Sequence, residues 1–471
     1  MLQWIKDILM SCKAETDVEA AGARRGTETS PMPTGRMATI RVAISRVRPQ
    51  LRRIDEDAFT PHGVLIGLYN HKKGLSQWTD VKEKAVVDLF HGEVDEVMRE
   101  LENVEGEARR CYAHLPDPIL CSEQSSFSHM LLHDGCYLLS LFVKYETAAC
   151  SNSASTAAGC DDKTVVRDPS ESNNNAPQYP ETAAGGVSDG AVVRDTVFLV
   201  ENQIPLLVLD KIHQLVTGDT DSCVLESISV AVQGLLQAQL YISKKPRPAP
   251  QQSSHLLHLV HHYFQPTNPP PERAGNTAPR TGRWRRATEY RCHGNVRFKP
   301  EDLVEGKEST ILDVSYQGGT LWIPRLQVNS NTWTILRNLM ALEEQMTRRP
   351  VTAYCVFLSQ VAGTVEDVKL LVRAGIVQQF LSSEKQVAQD LANLLTGVVL
   401  DVDNLEQNYL KPIWHDLDMR CNKWVNRFMG TCREQHCRNG LYTIAFVITA
   451  ILFACGLLQA VFAVLSYKYK K

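Results

Sequence analysis

The chain has 471 residues, with 50 Lys and Arg against 53 Asp and Glu, a formal net charge of −3 and a pI near 6.5. Near-balanced charge excludes a global electrostatic case for nucleic acid, and thirteen cysteines, odd in number and without a CxxC pair, exclude a disulfide framework in favour of mostly reduced thiols. The length exceeds what one compact core usually holds, so one large domain or two interlocked ones are expected.

In chain order, residues 1–36 are polar, lack apolar periodicity and are expected to be flexible. Their start, MLQWIKDILMSCKAETD, is interrupted by Lys6 and Asp7 and has no apolar core of a secretory signal. Further on, His133, Asp134 and Cys136 offer catalytic residue types. Neighbours on a helix point about 100° apart, so these three cannot form a nucleophile, base and orienter relay among themselves. Asp134 is expected to pair with a distant Arg and Cys136 to fill core. Residues 147–190, rich in Ser, Ala, Asn and Gly, cannot bury enough surface to order themselves and read as a disordered insert.

The next block, 194–209, is strongly apolar yet carries Glu201, Asn202 and Gln203. Their burial requires hydrogen-bond partners, and Pro205 ends or kinks any helix arriving there. A buried polar clasp joining two helices is the expectation. Val224, Ile228, Val232, Leu235 and Leu236 then recur at helical spacing. His255, His258 and His262 would share a helical face, with His261 beside them, but no carboxylate or Cys stands nearby in sequence, so no metal site is assigned. Residues 265–282 are Pro-rich and read as a second insert. The basic run Arg283, Arg285, Arg286 and Arg291 around Trp284 lacks a nucleic-acid motif and reads as a solvated face.

A small β element is expected where alternating Leu312, Val314 and Tyr316 meet Gln317-Gly318-Gly319, followed by Leu321 and Ile323, with Pro324 closing the second strand. Leu336, Leu339, Met340 and Glu343 restore helical spacing. Cys421, Cys432, His436 and Cys437 match no usual zinc spacing. Residues 441–465 carry no charge, and three lysines follow. At about 1.5 Å per residue such a helix reaches roughly 37 Å, enough to cross a hydrocarbon core of about 30 Å. Basic residues before it (Arg420, Lys423, Arg427, Arg433, Arg438) outnumber those after it, favouring a cytosolic bulk. The absence of any Asn-x-Ser/Thr sequon agrees. Gly456 and Ala460 are small, and Gln459 is polar at membrane depth, a pattern that lets two such helices associate.

Several blocks together resemble the plant family known as domain of unknown function 247. They are the 194–209 run; Phe59-Thr60-Pro61 with Ile66-Gly67 and Tyr69-Asn70-His71; Arg110-Cys111-Tyr112; and His129 to Tyr137 with its Asp134-Gly135-Cys136 core. Arg337-Asn338-Leu339 through Glu343-Glu344-Gln345, and Glu366-Asp367-Val368 with Gly375-Ile376, complete the set in the family's order. Leu68, Asn70 and Ser140 depart from residues common in the family. The resemblance implies a plant protein with a cytosolic domain and a C-terminal membrane helix, in a family some of whose grass members are linked to pollen recognition in self-incompatibility. The signature residues Asp134, Gly135, Cys136, Glu201, Asn202, Gln203, Pro205, Asn338, Glu343, Gln345 and Asp367 are expected to be structural.

The expected architecture is therefore mostly α: a flexible 1–36, a large helical domain with a minor β element over 37–438, one transmembrane helix over 440–467 and a basic tail over 468–471. Walker, dinucleotide, HExxH and GxSxG motifs are absent, so no catalytic residue, cofactor or metal is assigned. The favoured function is a non-enzymatic, membrane-anchored interaction or recognition protein at the plasma membrane or endoplasmic reticulum, with an unidentified protein partner, no nucleic acid and self-association through the last helix. The alternative is a membrane-bound enzyme with a pocket containing His133, Cys136 or Glu201.

Overall fold

The computed structural model describes residues 42–70, 75–91, 94–113, 127–142, 189–219, 223–267, 282–303, 306–379, 383–423 and 440–469. The expected flexible start and the bulk of both inserts lie outside them. Helices dominate. The first half holds α1 (Pro49–Ile54), α2 (Leu75–Phe90), α3 (Asp95–Arg110), α4 (127–142), α5 (Asp189–Val193), α6 (Leu206–Thr217), α7 (Val224–Ala238) and α8 (Leu256–Tyr263). The second half holds α9 (Ala287–Gly294), α10 (Thr332–Glu343), α11 (Pro350–Val361), α12 (Val365–Arg373), α13 (Glu384–Leu394), α14 (Lys411–Asn422) and α15 (Gly440–Tyr469).

The periodic apolar positions do what their spacing predicts. Val224, Ile228, Val232, Leu235 and Leu236 all face the core from α7, as do Leu336, Leu339 and Met340 from α10. Helix α11 is buried on every side, from Pro350 through Ser359, and packs between α10 and α13. A helix apolar all round belongs at the centre of a large core. That core is one continuous cluster drawing residues from Ile44 to Cys421, so the segments flanking the inserts share a single apolar interior.

The minor β element exists. Strands β2 (Ser315–Gln317) and β3 (Thr320–Pro324) pair antiparallel, with Tyr316 opposite Leu321. Gly318 and Gly319 between them have φ of 58° and 79°, the left-handed pair that a two-residue hairpin requires. The first strand is shorter than the alternation suggests, because Leu312 sits in the turn before it. Strand β1 (Arg297–Glu301), absent from the sequence reading, pairs parallel with β3. Its sequence, RFKPE, carries the charges and the proline of an edge strand, which conceal it. A second small sheet joins β4 (Leu326–Val328) and β5 (Val377–Gln379) in parallel.

Among the described residues no helix is long and apolar enough to cross a membrane. The expected span does fold as a helix, α15. Within it the described large apolar side chains lie open: Phe453 is 70% exposed and Phe462 67%.

Candidate functional site

Asp134, Glu201, Asn202, Gln203, Pro205 and Asn338 meet in a buried polar hub at the start of α6, while Glu343, Gln345 and Asp367 bind elsewhere. Helix α5 widens into a π-turn over Arg194–Phe198, all of it buried, and such turns recur where a chain must place side chains irregularly. The chain then extends at Leu199 and re-enters helix after Pro205, which stands at the N-cap of α6 with φ −62°. Proline therefore opens a helix here instead of ending one, its missing N–H falling where helices leave donors unpaired anyway.

Between these helices the side chains replace a backbone ladder. Asn202 Oδ1 accepts from Ile66 N at 2.7 Å and Asn70 Nδ2 at 2.9 Å, while its Nδ2 donates to Val64 O and Asp195 O. Gln203 Nε2 donates to Thr196 O and Leu199 O, and its Oε1 accepts from Leu257 N in the first turn of α8. Glu201 accepts from Val47 N at 2.7 Å and forms an ion pair with Arg52 at 2.6 Å. The expected clasp thus closes onto the 44–70 segment, including Arg52 of α1, and onto the first turn of α8. Asn70, one of the departures from the resembled pattern, is one of the bonding partners.

Asp195, missed in the sequence reading, sits at the hub's floor. Its Oδ2 accepts from three successive amides, those of His62, Gly63 and Val64, a backbone nest for an anion. Burial nonetheless pushes its carboxyl above the usual range, against the pull of those amides and of Arg194. Asp134 accepts from Gly67 N at 2.7 Å and pairs with Lys82 at 2.5 Å. Its partner is therefore a lysine from α2, not the expected arginine. Gly135 next to it leaves room for Ile212, whose terminal methyl would collide with a Cβ there.

Helix α10 ties the hub to the second half. Asn338 accepts from Val200 N and donates to Ala58 O at 2.8 Å. Glu343, fully buried, accepts from Val351 N, Thr352 N and Thr352 Oγ1 at the start of α11, and lies 2.9 Å from His261 Nε2. A carboxylate at a helix N-terminus meets both the free amides and the positive end of the dipole. Gln345 grips Ala43 by both its N–H and its C=O. Asp367 completes a capping box with Thr364 and also accepts from Thr288 of α9.

The nucleophile candidates are occupied differently. Cys136 is wholly buried and its thiol is pushed up by desolvation, the opposite of a reactive thiolate. His133 binds the carbonyl of His129 within its own helix. The four histidines of α8 do not converge: His255 caps the helix, His258 accepts from Ser254 N, His261 faces Glu343 and His262 packs on Tyr263. Among the described residues no three His, Cys, Asp or Glu side chains gather as metal ligands. Cys432, His436 and Cys437 lie outside them; Cys421 is buried beside Gly294. A cavity of about 10 Å³ lies beside Arg337, Phe59, Glu344 and Thr352, the room of one water.

On the exposed run of α15, Gly456, Gln459 and Ala460 lie open, with no atom near the position a Gly456 Cβ would take.

Comparison with known proteins follows this geometry. A family profile, DUF247, described as "Plant protein of unknown function", matches residues 44–455. A protein of Arabidopsis thaliana named as a UPF0481 protein is 34% identical over 167 residues, covering 35% of this chain and 30% of its own. No solved structure matches.

Proposed function

Because the chain belongs to the DUF247 family of plant proteins, we propose that it is a membrane-tethered recognition protein whose folded body works by non-covalent binding. The observation that carries this reading is α15. Its side chains from Ile448 to Phe462 stand more than half exposed where large apolar groups occur, and so long an uncovered apolar stripe is stable only in an apolar medium. The uncharged stretch 441–465 has the length of a single span. The folded body then faces the cytosol, at the plasma membrane or endoplasmic reticulum.

The hub supports binding over catalysis. Glu201, Asn202, Gln203, Asp134 and Glu343 spend their hydrogen-bonding capacity on backbone groups and fixed partners, so they hold the body together. Tethering confines a weak binder to two dimensions and raises its effective concentration, so modest affinity suffices. Recognition signalling, of which pollen recognition in grasses is one setting, fits such a binder. The test is alkaline carbonate extraction followed by ultracentrifugation of the full chain. Recovery in the pellet supports the tether, and recovery in the supernatant overturns it. Proximity labelling from an N-terminal tag then identifies neighbours, and enrichment of lumenal proteins would reverse the orientation.

A further inference from the structure

The folded body ends at one particular corner, and that corner is basic. Helix α14 leaves the core at Asn422, ahead of α15. Around its last turn three other elements meet. Arg420 Nε donates to the carbonyl of Gly294, the last residue of α9, at 2.7 Å. The same guanidinium covers Gly319 in the β2–β3 turn so closely that a Cβ there would lie 2.6 Å from it. Arg297, opening β1, donates its backbone N–H to Gly319 O and its side chain to Gly318 O. The corner is thus a rigid junction of α9, α14, β1 and the hairpin tip.

Its charge is mostly positive, with exposed Asp416 the one acid of the two helices outside an ion pair. The acids of the two helices are Glu289, Asp416 and Asp418, of which Glu289 pairs with Arg286 and Asp418 with Arg285. Arg291, Arg297 and Lys423 carry exposed side chains outside those pairs. Met419, in the last turn of α14, is 53% exposed. Exposed basic side chains and an exposed methionine at the end of α14, the last described helix before α15 in sequence, match the chemistry of a lipid headgroup layer.

We propose that this corner docks on anionic phospholipid headgroups, so that the folded body sits on the bilayer in a fixed orientation with the opposite end turned outward. The inference rests on the tethered reading above. Each Lys or Arg near an anionic leaflet contributes about 1 kcal/mol, roughly fivefold in the docked population, and Debye screening removes the contribution at high salt. Three such residues shift the docked-to-free ratio by about a hundredfold. A basic corner also fits nucleic acid, but the balanced charge of the whole chain and the place of Lys423 in sequence shortly ahead of the uncharged stretch 441–465 favour lipid.

The test uses the full chain in nanodiscs of phosphatidylcholine alone or with about one third phosphatidylserine, read by amide hydrogen exchange over residues 291–297 and 315–320. Slower exchange in the anionic discs, reversed by 0.5 M salt and by the combined Arg291→Glu, Arg297→Glu and Lys423→Glu variant, supports docking. The salt and neutral-lipid arms need only the unaltered protein, so a misfolded variant leaves the test intact. A chain that enters the discs but exchanges equally fast in both lipids overturns the docking and spares the tether. A chain that fails to enter them overturns both. Protection conferred in neutral discs by added duplex DNA, and not by phosphatidylserine, also overturns the lipid assignment.

Discussion

Acid sensitivity is built into α8, and His258 gives it a magnitude. Burial lowers its imidazole to about 4, with His261 and His262 adding like-charge repulsion, and burial lowers His255 in the same direction. A group whose folded pKa lies below its unfolded value of about 6.5 leaves stability whole above that value and withdraws it as pH falls toward the folded one. For His258 alone, linkage gives about 2 kcal/mol lost at pH 5 relative to pH 8, and about 3 kcal/mol at pH 4. Against a total of roughly 5–15 kcal/mol this is a large fraction. The measurement is urea unfolding of the full chain in mild detergent, followed by tryptophan fluorescence at pH 8, 6.5 and 5. His258→Gln, whose amide oxygen can accept from Ser254 N in place of Nδ1, should flatten the slope between pH 6.5 and 5 by about 2 kcal/mol. An unchanged slope in that variant would refute the reasoning, since His258 would then be titrating freely in the folded state.

Three further outcomes are expected. Gly67→Ala should prevent folding, seen as loss of a cooperative melt, because φ is +73° there and the new Cβ would overlap the backbone carbonyl of Gln203. Glu343→Ala should lower the urea midpoint by the equivalent of about 3 kcal/mol, leaving the amides of Val351 and Thr352 unpaired, with Glu343→Gln restoring part of it. Gln459→Leu should reduce crosslinking between copies in detergent-free membranes if α15 pairs through that amide, and an unchanged yield removes Gln459 from the contact.

The elements that could be read from residues alone are those encoded locally. Helices α7 and α10 follow from apolar residues three and four apart, and the β2–β3 hairpin follows from two glycines between alternating apolar positions. Strand β1 did not, because its charges and proline disguise an edge and its partner β3 lies beyond a loop and the intervening β2. In the hub, burial of Glu201, Asn202 and Gln203 was legible from their apolar surroundings, yet their partners were not. Lys82 for Asp134, Glu343 for His261 and the amide nest for Asp195 are all long-range pairings, and periodicity carries no information about which distant segment supplies a donor. Asp195 itself left one usable signal, a charged residue at the head of a long apolar run.

The strap formed by residues 43–70 sets a timetable for the nascent chain. Val47, Ile66 and His62 find their acceptors on Glu201, Asn202 and Asp195, and Ala43 finds its own on Gln345. A ribosome has translated nearly three quarters of the message before that last partner emerges. The partners of Val47, Ile66 and His62 emerge earlier, before the chain is half made, so the strap is completed in two stages, its N-terminal end last.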